Sequence, residues 1–98
     1  MRFTFCFLPN AERALKRLKH DTGLSRRYRA VVKALELLSE NPRHPGLSTH
    51  IVSSLSGPRG EKVFEAYAEQ HTPAAYRIFF FYGRERATMI IFAITPHP

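Results

Sequence analysis

Tyr76-Arg77-Ile78-Phe79-Phe80-Phe81-Tyr82, turned back by Gly83-Arg84-Glu85-Arg86 and followed by Thr88 to Thr95, is the stretch on which the fold turns. Its first half is dense with aromatic residues, which fit a pleated, half-buried surface. Gly83 and its charged neighbours break that run and reverse the chain. Thr88 to Thr95 is apolar on both faces, the pattern of a central strand. Pro96 and Pro98 are expected to prevent regular pairing beyond it. A connection this short joins antiparallel strands.

Upstream, Lys62 to Ala68 alternates, with Val63, Glu65 and Tyr67 on one face and Phe64, Ala66 and Ala68 on the other. Gln70 to Ala75 reads as a loop. Ser56-Gly57-Pro58-Arg59-Gly60 is a strong turn signal. Leu47 to Leu55 is a weaker strand, with Leu47, Thr49 and Ile51 facing one way and Ser48, His50 and Val52 the other. Arg43 to Gly46 is a loop.

The N-terminal half changes period. Val31, Leu35 and Leu38 recur at helical spacing, widened by Tyr28, Val32 and Ala34, and predict a helix from a Ser25 cap to about Glu40. Asn41-Pro42 ends it, because proline disfavours helix in the residue before it. A shorter helix, Ala11 to about Lys19, is capped by Asn10 and packs through Leu15 and Leu18. Arg2 to Leu8 alternates Phe3, Phe5 and Phe7 against Thr4, Cys6 and Leu8, a half-buried strand broken by Pro9-Asn10. The order β-α-α-β-β-β-β places a helical hairpin on one face of a mainly antiparallel, twisted sheet. The expectation is an α+β fold in one domain, residues 1–98.

The chain has 98 residues, enough to bury roughly two thirds of its unfolded surface in one modest core. Its formal charge is +7, and of 15 Lys and Arg, 11 are Arg. Arginine offers a planar fork for phosphate and stacks on bases, so the balance points to a polyanionic partner. No stretch reaches the ~18 apolar residues of a membrane helix, and no signal peptide is evident. One cysteine, Cys6, excludes an internal disulfide framework; it reads as a small core or sheet-face residue. Metal-ligand spacings, phosphate loops and dinucleotide motifs are not found. No cofactor or metal is expected, and the cytoplasm is the expected location.

Several residues could carry chemistry. Arg77 opens the aromatic strand, where a charge is costly unless paired or facing a groove. It either clamps a phosphate or pairs with Glu65 or Glu69. His97, stiffened by Pro96 and Pro98, has acid and base forms near neutral pH. Glu65 and Tyr67 share a strand face, either as base and stacking platform or as a solvated face with an Arg partner. His50, on a short strand, reads as a surface or locally hydrogen-bonded histidine.

The chain resembles the RelE/ParE superfamily of bacterial toxins from type II toxin–antitoxin modules. The resemblance runs nearly the whole length. It rests on Asn41-Pro42-Arg43-His44-Pro45-Gly46-Leu47, Leu55-Ser56-Gly57, Phe64-Glu65-Ala66-Tyr67, Tyr76-Arg77-Ile78-Phe79-Phe80 and Ile94-Thr95-Pro96-His97-Pro98. It implies a RelE-like fold and, in the ribonuclease branch, metal-independent cleavage of mRNA in the ribosomal A site. There the 2′-hydroxyl attacks the adjacent phosphate. Arg77 matches the arginine that steadies the phosphate, and His97 the near-C-terminal acid or base. Glu65 and Tyr67 fall where relatives carry other polar residues on the third strand, with His50 near a second acid/base position. Arg13, Lys16, Arg17, Lys19, Arg26, Arg27, Arg59, Lys62, Arg84 and Arg86 would contact RNA and the ribosome.

Two features depart from that pattern. Some members carry lysines where Glu65 and Tyr67 stand, and some end in an aromatic where Pro98 stands. Three functions therefore stay open: a ribosome-dependent endonuclease, a DNA gyrase inhibitor without nuclease activity, and a degenerate toxin acting as a binding module. Either toxin reading implies an acidic antitoxin, partly disordered when free, wrapped over the basic face in a hetero-oligomer.

Overall fold

The computed structural model describes residues 2–97. Its elements are β1 (Thr4–Phe7), α1 (Pro9–His20), α2 (Ser25–Glu40), β2 (His50–Ser56), β3 (Lys62–Tyr67), β4 (Tyr76–Tyr82) and β5 (Thr88–Pro96). Single 3-10 turns at Thr22–Leu24 and Pro45–Leu47 precede α2 and β2. The sheet has the order β1-β5-β4-β3-β2. β2 to β5 form an antiparallel meander, and β1 joins β5 in parallel. This is the expected α+β layout.

One face of the sheet carries Phe64, Ala66, Ile78, Phe80, Met89, Ile91 and Ile94 beneath Ala11, Leu18, Val31, Leu35 and Leu38 of the helices. Phe80, Ile78, Met89, Ile91, Leu18, Leu38 and Val31 have essentially no exposed surface. The other face, called outer here, carries Glu65, Tyr67, Arg77, Phe79 and Phe81. An extra β5 residue, Phe92, sits between the Phe79–Ala93 and Phe80–Ile91 pairs. This bulge bends β5 and seats Phe92 between the Phe79 and Phe81 rings, at 6.0 and 5.9 Å.

Several expected boundaries move. Pro9 does not break the strand before an Asn10 cap. It opens α1 itself, after Leu8 at the cap position, because proline lacks an N–H that the first helical turn does not use. Ser25 is the first helical residue of α2, and the cap is Leu24 with no side-chain bond. The capping side chain is Asp21, which accepts from Gly23 N–H at the start of the preceding 3-10 turn. β2 starts at His50 rather than Leu47, since Pro45–Leu47 winds into a 3-10 turn and buries Leu47 in the core.

Pro96 is the last residue of β5 and is paired opposite Tyr76, so regular pairing runs one residue past Thr95. His97 N–H donates to Ala75 O at 2.9 Å. By the alternation of antiparallel pairs, Pro96 then falls at a non-hydrogen-bonded position, where its missing N–H is not needed.

Candidate active site

The outer face gathers charge at one end. Glu65 projects from the middle of β3 and is 4% exposed. A lone carboxylate cannot stay ionised at such a depth, and two neighbours compensate it. His50, its register partner on edge strand β2, places Nε2 2.7 Å from Oε1. Arg77 of β4 forms an ion pair with Oε2 through Nη1. Three adjacent strands thus converge on one carboxyl group.

Each partner is itself held. His50 Nδ1 lies 2.9 Å from the Ser48 carbonyl oxygen, so both ring nitrogens face oxygen acceptors. Ser48 is in the left-handed region at φ 46°, where the chain turns from the 3-10 turn into β2. The His50 and Tyr67 rings lie 5.8 Å apart. The Arg77 guanidinium lies over the Phe79 ring at 5.4 Å. Arg77 Nε is buried without a hydrogen-bond partner. In register, Arg77 stands between Tyr67 on β3 and Thr95 on β5.

Beside this cluster opens a cleft of ≈ 430 Å³ lined by Ser48, His50, Tyr67, Glu69, Gln70 and His71. Its wall is the β3–β4 loop. Glu69, the other partner expected for Arg77, pairs instead with Arg27 of α2 at 2.9 Å. His97 follows β5 at this end of the sheet, bonded through its backbone to Ala75.

The structure therefore brings together Glu65, His50, Arg77 and Tyr67, with His97 at the same end. The expected basic residues fall on several elements. Arg13, Lys16, Arg17 and Lys19 are exposed on α1, where Arg13 donates to Asn10 and Lys16 pairs with Glu12 at 3.7 Å. Arg26 is exposed at the start of α2, while Arg27 turns inward onto the loop. Arg59, Lys62, Arg84 and Arg86 lie in or beside the turns at the opposite end of the sheet. Cys6 is exposed on β1. His71 carried no motif in the sequence, and only the loop geometry brings it to the cleft.

No family model matches the chain, and no curated protein matches it in sequence at a significant level. A likeness is found among solved structures. The archaeal RelE–RelB complex from Pyrococcus horikoshii OT3 contains a chain matching with a TM-score of 0.64, over 98% of this chain and 96% of that one, at 14% identity. The fold is therefore RelE-like, as expected. Among the described residues no helix is long and apolar enough to cross a membrane.

Proposed function

We propose that the chain is the toxin of a type II toxin–antitoxin module and acts in the cytoplasm as a ribosome-dependent, metal-independent mRNA endonuclease. The observation that carries this reading is the buried Glu65 holding His50 and Arg77 from the two flanking strands, with His50 also lining the neighbouring cleft. A pair serving stability alone would not need a half-exposed imidazole from an edge strand. A buried carboxylate bonded to an imidazole and a guanidinium beside a cleft is a candidate site by its geometry.

Cleavage through the 2′-hydroxyl needs a group to take its proton, a group to protonate the leaving 5′ oxygen, and a cation on the phosphorane. Arg77 is the cation, and Glu65 fixes its guanidinium before substrate arrives. His50, bonded on both nitrogens, holds the other oxygen of Glu65 in place. His97 gives the proton to O5′. Tyr67 offers a ring on which a base stacks. The RelE chain of the archaeal structure is bound to RelB. A formal charge of +7 suits an acidic antitoxin in the same way.

Induced expression in bacterial cells, followed by incorporation of labelled amino acid, tests the reading. Translation is expected to stop within minutes, and Arg77→Ala to relieve the arrest. Continued translation, together with inhibition of purified gyrase in a supercoiling assay, would favour the gyrase inhibitor instead.

A further inference from the structure

The cluster around Glu65 leaves one chemical task without a group. His50 faces Ser48 O with Nδ1 and Glu65 Oε1 with Nε2, so neither nitrogen is open to a substrate hydroxyl. Glu65 is itself occupied by His50 and Arg77. The proton of an attacking 2′-hydroxyl needs another acceptor, and the cleft that His50 shares with Tyr67 adjoins the cluster.

His71 lines that cleft with His50 and Tyr67. Among the described residues, no hydrogen bond or ion pair occupies its ring nitrogens. Its backbone is left-handed at φ 60°, an unfavourable state for a residue with a side chain. Ala74, three residues on, is left-handed as well, at φ 53°. Such conformations persist only when the surroundings impose them.

Arg27 supplies the constraint. From α2 it donates to Ala74 O at 2.8 Å and Pro73 O at 3.1 Å, and pairs with Glu69 Oε1 at 2.9 Å. The same carboxylate oxygen accepts from Tyr76 N–H at 3.0 Å, and the guanidinium lies 5.7 Å from the Tyr76 ring centroid. Gln70 Nε2 ties the other side of the loop to Gly46 O at 2.8 Å. The loop is thus a preassembled wall, anchored to α2 and to the segment leading into β2.

We propose that His71 is the group that accepts the 2′-hydroxyl proton, and that Arg27 is the positioning residue that holds its loop against the cleft. This rests on the endonuclease reading above. In the step, the O2′–H bond breaks and its proton goes to an open imidazole nitrogen of His71. The O2′–P bond forms as P–O5′ breaks, and O5′ takes a proton from the imidazolium of His97. The products are a 2′,3′-cyclic phosphate and a 5′-hydroxyl. His71 then releases its proton to water and His97 regains one.

Steady-state mRNA cleavage in a reconstituted translation reaction tests this with the full chain. His71→Asn keeps a residue that tolerates the left-handed backbone. It is expected to cut about 10²-fold more slowly with an unchanged urea midpoint. His71→Gly is expected to regain at least about 5-fold with added imidazole, as an open cleft allows. Arg27→Gln is expected to lower kcat with KM changed less than about 3-fold, and Arg27→Lys to recover part of the loss.

Wild-type rates in His71→Asn would overturn the proton-acceptor role while the endonuclease reading stood. A raised KM with unchanged kcat in Arg27→Gln would make Arg27 an RNA contact and overturn the positioning role. If the wild type itself leaves mRNA intact, the endonuclease reading fails first, and the role of His71 falls with it.

Discussion

Glu65 and Arg77 are bonded diagonally across the β3–β4 ladder. In register, Glu65 faces Phe79 and Tyr67 faces Arg77, yet the carboxylate reaches past its own partner to the guanidinium one pair along. That diagonal leaves the position directly opposite Glu65 on the other side free for His50. It also lets the Arg77 guanidinium lie over Phe79. One carboxylate can therefore organise three strands.

Removing the carboxylate strands a buried cation. The side chains of Arg77 and Glu65 are 14% and 5% exposed, so Glu65→Ala is expected to cost about 3–5 kcal/mol. Urea unfolding measures it. Glu65→Leu combined with Arg77→Met is expected to recover most of that loss, because an apolar pair replaces the buried charges and only the half-exposed His50, which solvent reaches, loses its partner. A double variant as unstable as Glu65→Ala would show that the strands need the ion pair itself.

The exposed pair Arg2–Glu40 provides the contrast. Its atoms approach to 2.5 Å, but its side chains are 68% and 55% exposed. Solvent and salt screen such pairs, so Arg2→Ala is expected to shift the urea midpoint by no more than the equivalent of about 1 kcal/mol.

Arg77→Lys keeps the charge and loses the fork. A lysine cannot hold Glu65 and a phosphate oxygen with the geometry of a planar guanidinium. Cleavage is expected to fall about 10²-fold, comparable to the loss of one transition-state donor, while circular dichroism stays native. Full activity in Arg77→Lys would reduce the role of Arg77 to that of a point charge.

Phe80 anchors the sheet beneath the helices with no exposed surface, stacked on Phe64 at 5.5 Å. Phe80→Ala is expected to cost about 3–5 kcal/mol, from lost transfer energy and the cavity left behind. The equivalent change at Leu55, 45% exposed on β2, is expected to have a far smaller effect on thermal unfolding.

Much of the fold was legible because the signals were periodic and local. Tyr76 to Tyr82 forms β4 with the bounds its aromatic run suggests, and Ser25 to Glu40 forms α2 as the Val31-Leu35-Leu38 spacing indicates. Boundaries decided by backbone chemistry were harder to read. Proline looks like a breaker at Pro9 and Pro96, but at a first helical turn or a non-bonded strand position its missing N–H costs nothing.

The site was legible in kind. Arg77 stood out as a charge in an apolar strand, and pairing with Glu65 was one of the two outcomes open to it. The depth of Glu65 was not legible, because alternation alone puts it on a solvated face, and its partners His50 and Arg77 come from other strands. Arg27 looked like one more basic helix residue. Its inward role depends on the β3–β4 loop, which no local pattern specifies. His71 was missed for the same reason.

Primer extension on an mRNA in a reconstituted translation reaction, with and without ribosomes, decides whether the chain is a ribosome-dependent endonuclease. Cuts are expected in phase with codons, only where ribosomes are present, leaving 5′-hydroxyl ends, and none from Arg77→Ala. Intact mRNA in the complete reaction, or equally efficient cutting of naked RNA, would contradict it.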